Sequence, residues 1–107
     1  MTFAALRSLG LAVAATILLG IASAQAEEFK VTIDNFTFTP AELKVKVGDT
    51  VTWTNHDDIP HTVVSAGKFR SKTLDTDDKF SFIFTNAGDY KYFCSLHPHM
   101  TGMITVE

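Results

Sequence analysis

Tyr90-Lys91-Tyr92-Phe93-Cys94-Ser95-Leu96-His97-Pro98-His99-Met100-Thr101-Gly102-Met103-Ile104-Thr105-Val106 is the stretch whose reading decides the fold. Tyr90, Tyr92 and Cys94 share one face opposite Lys91 and Phe93, and Met103–Val106 is strand-like again, so two strands flank a short loop. That loop, Cys94–Met100, brings a thiol, an imidazole and a thioether to one place. Soft sulfur suits Cu(I) and imidazole suits Cu(II) among other ions, so a set of two His, one Cys and a weak Met tolerates both copper oxidation states. Zinc prefers more thiolates or a carboxylate. With His61 as the second imidazole, the candidate metal ligands are His61, Cys94, His97 and Met100.

Outward from this run the chain reads as short strands. Phe80, Phe82 and Phe84 alternate with Lys79, Ser81 and Ile83, and Asn86-Ala87-Gly88-Asp89 is a turn. Val51, Trp53 and Asn55 alternate with Thr50, Thr52 and Thr54, a composition that suits a pleated surface. Phe29, Val31 and Ile33 alternate against Lys30 and Thr32, and Asp34-Asn35 supplies a bend. Phe36 and Phe38 are expected to continue an alternation as far as Pro40, and Leu43, Val45 and Val47 to resume it until Gly48-Asp49. The polar loop His56-Asp57-Asp58-Ile59-Pro60 leads to His61-Thr62-Val63-Val64. Gly67–Asp78 is the least patterned region, with Phe69 and Leu74 its main apolar residues, and Ser65–Asp78 holds at most one helical turn. About seven strands, without repeats or a linker, predict an all-β Greek-key sandwich in a single domain.

The N-terminal residues follow a different rule. Arg7 precedes an apolar stretch from Leu9 to about Ile21, and Ala24-Gln25-Ala26 follows, the layout of a cleaved secretory signal peptide. The apolar stretch is shorter than the ~20 residues a membrane span needs. The expected organisation is therefore a signal peptide over 1–26 and a periplasmic domain over 27–107, with no membrane association once the signal is removed. Nine Lys and Arg against twelve Asp and Glu give a net charge of −3, and loss of Arg7 makes the domain more acidic still, which argues against a nucleic-acid partner. A chain with one cysteine has no internal disulfide. In an oxidising compartment that thiol is buried, paired between chains, or bound to a metal. Metal binding would add stability to so small a domain, which is expected to be a monomer.

The pattern Tyr90-x-Tyr92-x-Cys94-x-x-His97-Pro98-x-Met100-x-Gly102, preceded by Pro60-His61, resembles the blue copper proteins, or cupredoxins. Its short His-to-Met spacing is most similar to that of amicyanin, and the likeness runs from about Phe36 to Val106. The resemblance implies a cupredoxin-like sandwich holding one copper ion, with His61, Cys94 and His97 as strong equatorial ligands and Met100 as the weak axial one. A trigonal site with a long axial bond is the arrangement that electron-transfer copper uses. Four protein ligands leave no open position for a substrate, so an enzyme is not expected. Two positions depart from the amicyanin pattern: Thr62 stands where an Asn commonly ties the two ligand loops together, and His99 stands where an apolar residue is usual.

The remaining candidates have plainer expected roles. Met103 is in phase with the last strand and expected in the core, while His56 and His99 are expected in solvent. A lone Cys is otherwise a small buried hydrophobe, and a lone His such as His61 an ordinary strand-end residue. His97, in mid-loop, is the expected exit for an electron. The leading reading is a one-electron carrier cycling Cu(II) and Cu(I) between transient redox partner proteins. The alternatives are a periplasmic copper chaperone or storage protein, in which His99 and Met103 would take part, and a metal-free adhesion domain.

Overall fold

The computed structural model describes residues 25–107. The expected signal peptide therefore lies outside the described residues, apart from Gln25 and Ala26. Nine strands form two sheets: β1 Glu28–Asp34, β2 Thr37–Thr39, β3 Glu42–Val45, β4 Thr50–Asn55, β5 Val64–Ser65, β6 Phe69–Arg70, β7 Lys79–Ile83, β8 Gly88–Phe93 and β9 Thr101–Val106. One sheet has the order β2-β1-β4-β7 and the other β3-β9-β8-β5-β6. β1 runs parallel to β4 and β3 parallel to β9, while the other pairs are antiparallel. Such parallel pairs require the chain to cross between sheets, and these crossings make the expected all-β sandwich. The strand count exceeds the expected seven mainly because β5 and β6 have two residues each, too few to show an alternation.

The core is the set of side chains facing between the sheets. Trp53 of β4 is fully buried, with its ring 5.4 Å from Tyr92 of β8 at 81°, and Tyr92 meets Phe38 of β2 at 4.8 Å. Complete burial of one such large apolar side chain contributes about 1.5–3 kcal/mol before ordering costs. Phe69 and Leu74 join this core, so the unpatterned segment supplies two buried anchors without a regular period. No helix occurs among the described residues.

Three expectations are corrected. Phe36 does not share the inward face of Phe38: it lies in the turn after β1 and is 51% exposed. Val47 lies beyond the end of β3, also 51% exposed, because Lys46–Asp49 already forms a turn closed by the Asp49 N–H on the Lys46 carbonyl at 3.0 Å. Gly48, at φ 97, occupies the position of that turn where a side chain is disfavoured. Met103 is only half-buried, since Ile104 and Val106 hold the core face of β9 and the pleat turns Met103 outward.

The Asp49 carboxylate braces the other end of the sandwich. It accepts the Glu27 and Lys46 N–H groups at 2.8 Å each, and these hold its carboxyl below the usual range.

Candidate metal centre

Three connections meet at one end of the sandwich: the β1–β2 turn, the loop from β4 to β5, and the loop from β8 to β9. The loop after β4 is shaped by Asn55, which is fully buried. Its Nδ2 donates to the carbonyls of Ile59 and Leu74 at 2.9 Å each, and its Oδ1 accepts the Asp57 N–H at 2.9 Å. This side chain therefore stands in for the backbone partners that the Asp57 N–H and the Ile59 carbonyl lack. The chain leaves the loop at His61, whose backbone exchanges two hydrogen bonds with Leu74, at 3.1 and 2.8 Å. His61 is held rigidly although it belongs to no strand.

The other loop is two successive turns. The His97 N–H donates to the Cys94 carbonyl at 3.2 Å and the Met100 N–H to the His97 carbonyl at 2.9 Å. A third bond, from the Cys94 N–H to the Met100 carbonyl at 3.1 Å, closes the base. Pro98 occupies the second position of the second turn, where its fixed φ is favourable. The result presents Cys94 and His97 on one side of a short, closed loop, with Met100 buried beside them at its base.

The donor atoms converge. His61 Nδ1 and His97 Nδ1 each lie 3.7 Å from Cys94 Sγ, and the three atoms lie within 4.8 Å of one another. Two donors bound at ~2.0 and ~2.3 Å to one ion, about 120° apart, stand roughly 3.7 Å from each other. The spacing therefore fits a single ion in a trigonal set. Cys94 and His61 are fully buried and His97 half-buried, so the cluster is enclosed behind and open at one imidazole. Neither His56 nor His99 enters this cluster. His56 is exposed, 3.8 Å from Asp77, and His99 sits exposed on the loop tip, as expected.

Comparison with known proteins gives the same answer. A family model described as a cupredoxin-like domain matches residues 7–106. The chain belongs to the cupredoxin-like family. This cupredoxin is 34% identical to an amicyanin of Paracoccus versutus, over 80% of this chain and 70% of that protein. It is also 34% identical to a chloroplastic plastocyanin of Tetradesmus obliquus, over 79% and 70%. Among solved structures, a novel purple cupredoxin from Nitrosopumilus maritimus superposes with a TM-score of 0.72 at 36% identity, covering 74% of this chain and 99% of that one. The reduced state of an amicyanin mutant gives 0.71 at 34%, covering 82% and 88%. His61, Cys94 and His97 form the candidate copper site of this cupredoxin.

The surroundings of the donors carry residues that sequence reasoning did not single out. Asp57 Oδ2 accepts from His61 Nε2 at 2.9 Å, and its carboxyl is held below the usual range by His61 first, then by the Phe36 and Asp58 N–H groups against the effect of burial. A carboxylate can only accept, so Nε2 carries a proton, and Nδ1, the atom that faces Cys94 Sγ, is the one that would give its lone pair to a bound ion. The signal for this was the spacing of four between Asp57 and His61, which becomes readable only once the loop's path is known.

Thr62 makes the tie expected of an Asn by a different route. Its N–H donates to Cys94 Sγ at 3.3 Å, and its Oγ1 accepts the Ser95 N–H at 2.8 Å. Ser95 Oγ lies 2.8 Å from the same oxygen and Cys94 Sγ 3.7 Å from it, so one consistent assignment has Ser95 Oγ donating to Thr62 and Thr62 donating to sulfur. Thr62→Val, which keeps the shape and the N–H, should lower stability by about 1–2 kcal/mol. It should also lower the reduction potential of the loaded protein, because a thiolate with fewer donors favours the higher-charged ion. Denaturant midpoints and voltammetry measure both.

Proposed function

We propose that the protein is a periplasmic carrier of single electrons, holding one copper through His61, Cys94 and His97 with Met100 as a weak fourth ligand. The observation that carries this reading is the equidistant placing of two imidazole nitrogens, one buried and one half-buried, about one buried cysteine sulfur. Bound copper would supply a one-electron couple between Cu(II) and Cu(I). The chain's contribution is to keep the donors nearly still through that change. The Leu74 bridge fixes His61, the triple-bonded loop fixes Cys94 and His97, and Asp57 fixes the His61 tautomer. Little rearrangement means a low barrier to electron transfer.

His97 is the route by which the electron leaves. It alone among the three cluster residues reaches the surface, and exposed Leu96, at 49%, stands next to it in the chain for a transient redox partner protein to touch. The relatives named amicyanin and plastocyanin support a carrier over an enzyme. The signal segment over 1–26 supports export, and cleavage after Ala26 would release the domain over 27–107.

The test is the visible and EPR spectrum of the copper-loaded protein with its voltammogram. An intense copper–thiolate band, the narrow copper hyperfine splitting of a thiolate site and a reversible one-electron wave are expected. A loaded protein that stays colourless would sink the reading. Bound copper that passes to a chelator without any reversible couple would instead favour a copper chaperone or store.

A further inference from the structure

The β1–β2 connection breaks a local rule beside the metal centre. Asp34 pairs with Thr37, so Asn35-Phe36 is a two-residue hairpin loop, and both residues have positive φ, 50 and 57. This geometry favours Asn at the first position and Gly at the second. Asn35 obeys that preference. Phe36 does not, and a bulky residue in the left-handed region is a backbone outlier that the surroundings must hold in place.

What holds it is the site. The Phe36 N–H donates to Asp57 Oδ2 at 3.2 Å, the same oxygen that accepts from His61 Nε2. The Phe36 ring stands perpendicular to both imidazoles, at 5.0 Å and 90° from His97 and at 5.7 Å and 87° from His61. The two imidazoles are themselves 5.0 Å apart, so the phenyl ring sits over the gap between them. Half of Phe36 is still exposed, so core burial does not account for a Phe at this position.

We propose that Phe36 is a positioning residue of the metal centre. Its ring, held over the junction of His61 and His97 by a strained turn pinned to Asp57, restrains the one half-buried imidazole and keeps water and competing ligands from the donors. The β1–β2 hairpin gives up the easier Gly in return for this cover, a local conflict of the kind found at functional sites.

Phe36→Gly tests this, because it relieves the backbone while removing the cover. The thermal midpoint of the copper-free protein should hold or rise. Transfer of copper from the loaded protein to the Cu(I) chelator bicinchoninate should speed up about tenfold, the scale seen when support around metal ligands is removed. Alkylation of Cys94 by iodoacetamide in the copper-free protein should speed up about fivefold, as expected when local opening becomes easier. Phe36→Asn, which tolerates the same backbone, should behave like the Gly variant, and Phe36→Tyr should behave like the unaltered protein. Unchanged rates in both the Gly and Asn variants would overturn the proposal. A lowered copper-free midpoint in both would also overturn it, since Phe36 would then be an ordinary packing residue. The transfer measurement rests on the copper reading of the site, whereas the alkylation measurement does not. A protein that binds no copper would therefore fail that reading alone, leaving alkylation to decide the role of Phe36.

Discussion

Cys94→Ala is expected to abolish the intense visible band and the reversible couple, and with them the rise of the copper-free protein's stability between about pH 6 and 9. The band requires a thiolate on the metal, and Cys94 is the one cysteine in the sequence. The pH effect has a separate origin. Burial opposes a charge on Cys94, but in the copper-free protein the Thr62 N–H, hydrogen bonds from the His61 and His97 Nδ1 atoms and the Thr62 hydroxyl together outweigh it, bringing the thiol from 9.0 down to about 6. Between these values the unfolded chain binds the proton that the folded chain has released, so stability rises with pH across this window. The contribution is complete above the unfolded value and is lost as pH falls through about 6. By linkage it reaches up to roughly 4 kcal/mol. Urea midpoints of the copper-free protein from pH 6 to 9 measure it: the unaltered chain should climb and Cys94→Ala should lack this rise. A flat profile for the unaltered chain would show that the thiol is not poised for metal in the empty pocket.

The second large effect belongs to Asn55→Ala: the Asn55 side chain hydrogen-bonds to Asp57, Ile59 and Leu74 and to none of the three candidate copper residues. Its removal leaves the Asp57 N–H and the Ile59 carbonyl without their partner and takes one of two hydrogen bonds from the Leu74 carbonyl, the other coming from the His61 N–H. At about 1–3 kcal/mol for each buried polar group left unpaired, the expected loss is roughly 3–5 kcal/mol in the copper-free protein. Asn55→Asp should be no better, since it retains the acceptor for Asp57 but turns a second oxygen, without a proton, toward two carbonyls. Copper affinity should fall as well, by about 10–100-fold, because Asn55 shapes the loop that aims His61. Denaturation of both variants beside the parent decides this, and a loss for Asn55→Ala below ~1 kcal/mol would mean that the loop holds its path by other means.

How much of this was legible in the chain depends on the range over which each feature is encoded. Cys94, His97 and Met100 stand in one short run, so their grouping needed no knowledge of the fold. The alternation of Tyr90, Tyr92 and Cys94, and of Val51, Trp53 and Asn55, matches the buried faces of β8 and β4. The errors came where a local pattern was carried through a change of backbone. Counting back by twos from Phe38 places Phe36 in the core, but Asn35 and Phe36 both have positive φ and form the turn outside β2. Counting past Lys46 misplaced Val47 in the same way, and Met103 was misassigned because the phase of β9 is set by Ile104 and Val106.

The sequence by itself determined the all-β class, the core faces of the longer strands and the grouping of Cys94 with His97 in the candidate metal centre, because period, turn chemistry and ligand softness are local properties. Only the tertiary structure decided what surrounds the donors. Asp57 reaches His61 Nε2, Thr62 bridges to Ser95 and Cys94, Asn55 spans to Leu74, and Phe36 lies over two imidazoles from a third connection. Most of these contacts join residues far apart in the chain. Even Asp57 and His61, four apart, meet through a loop whose course Asn55 sets from the buried end of β4.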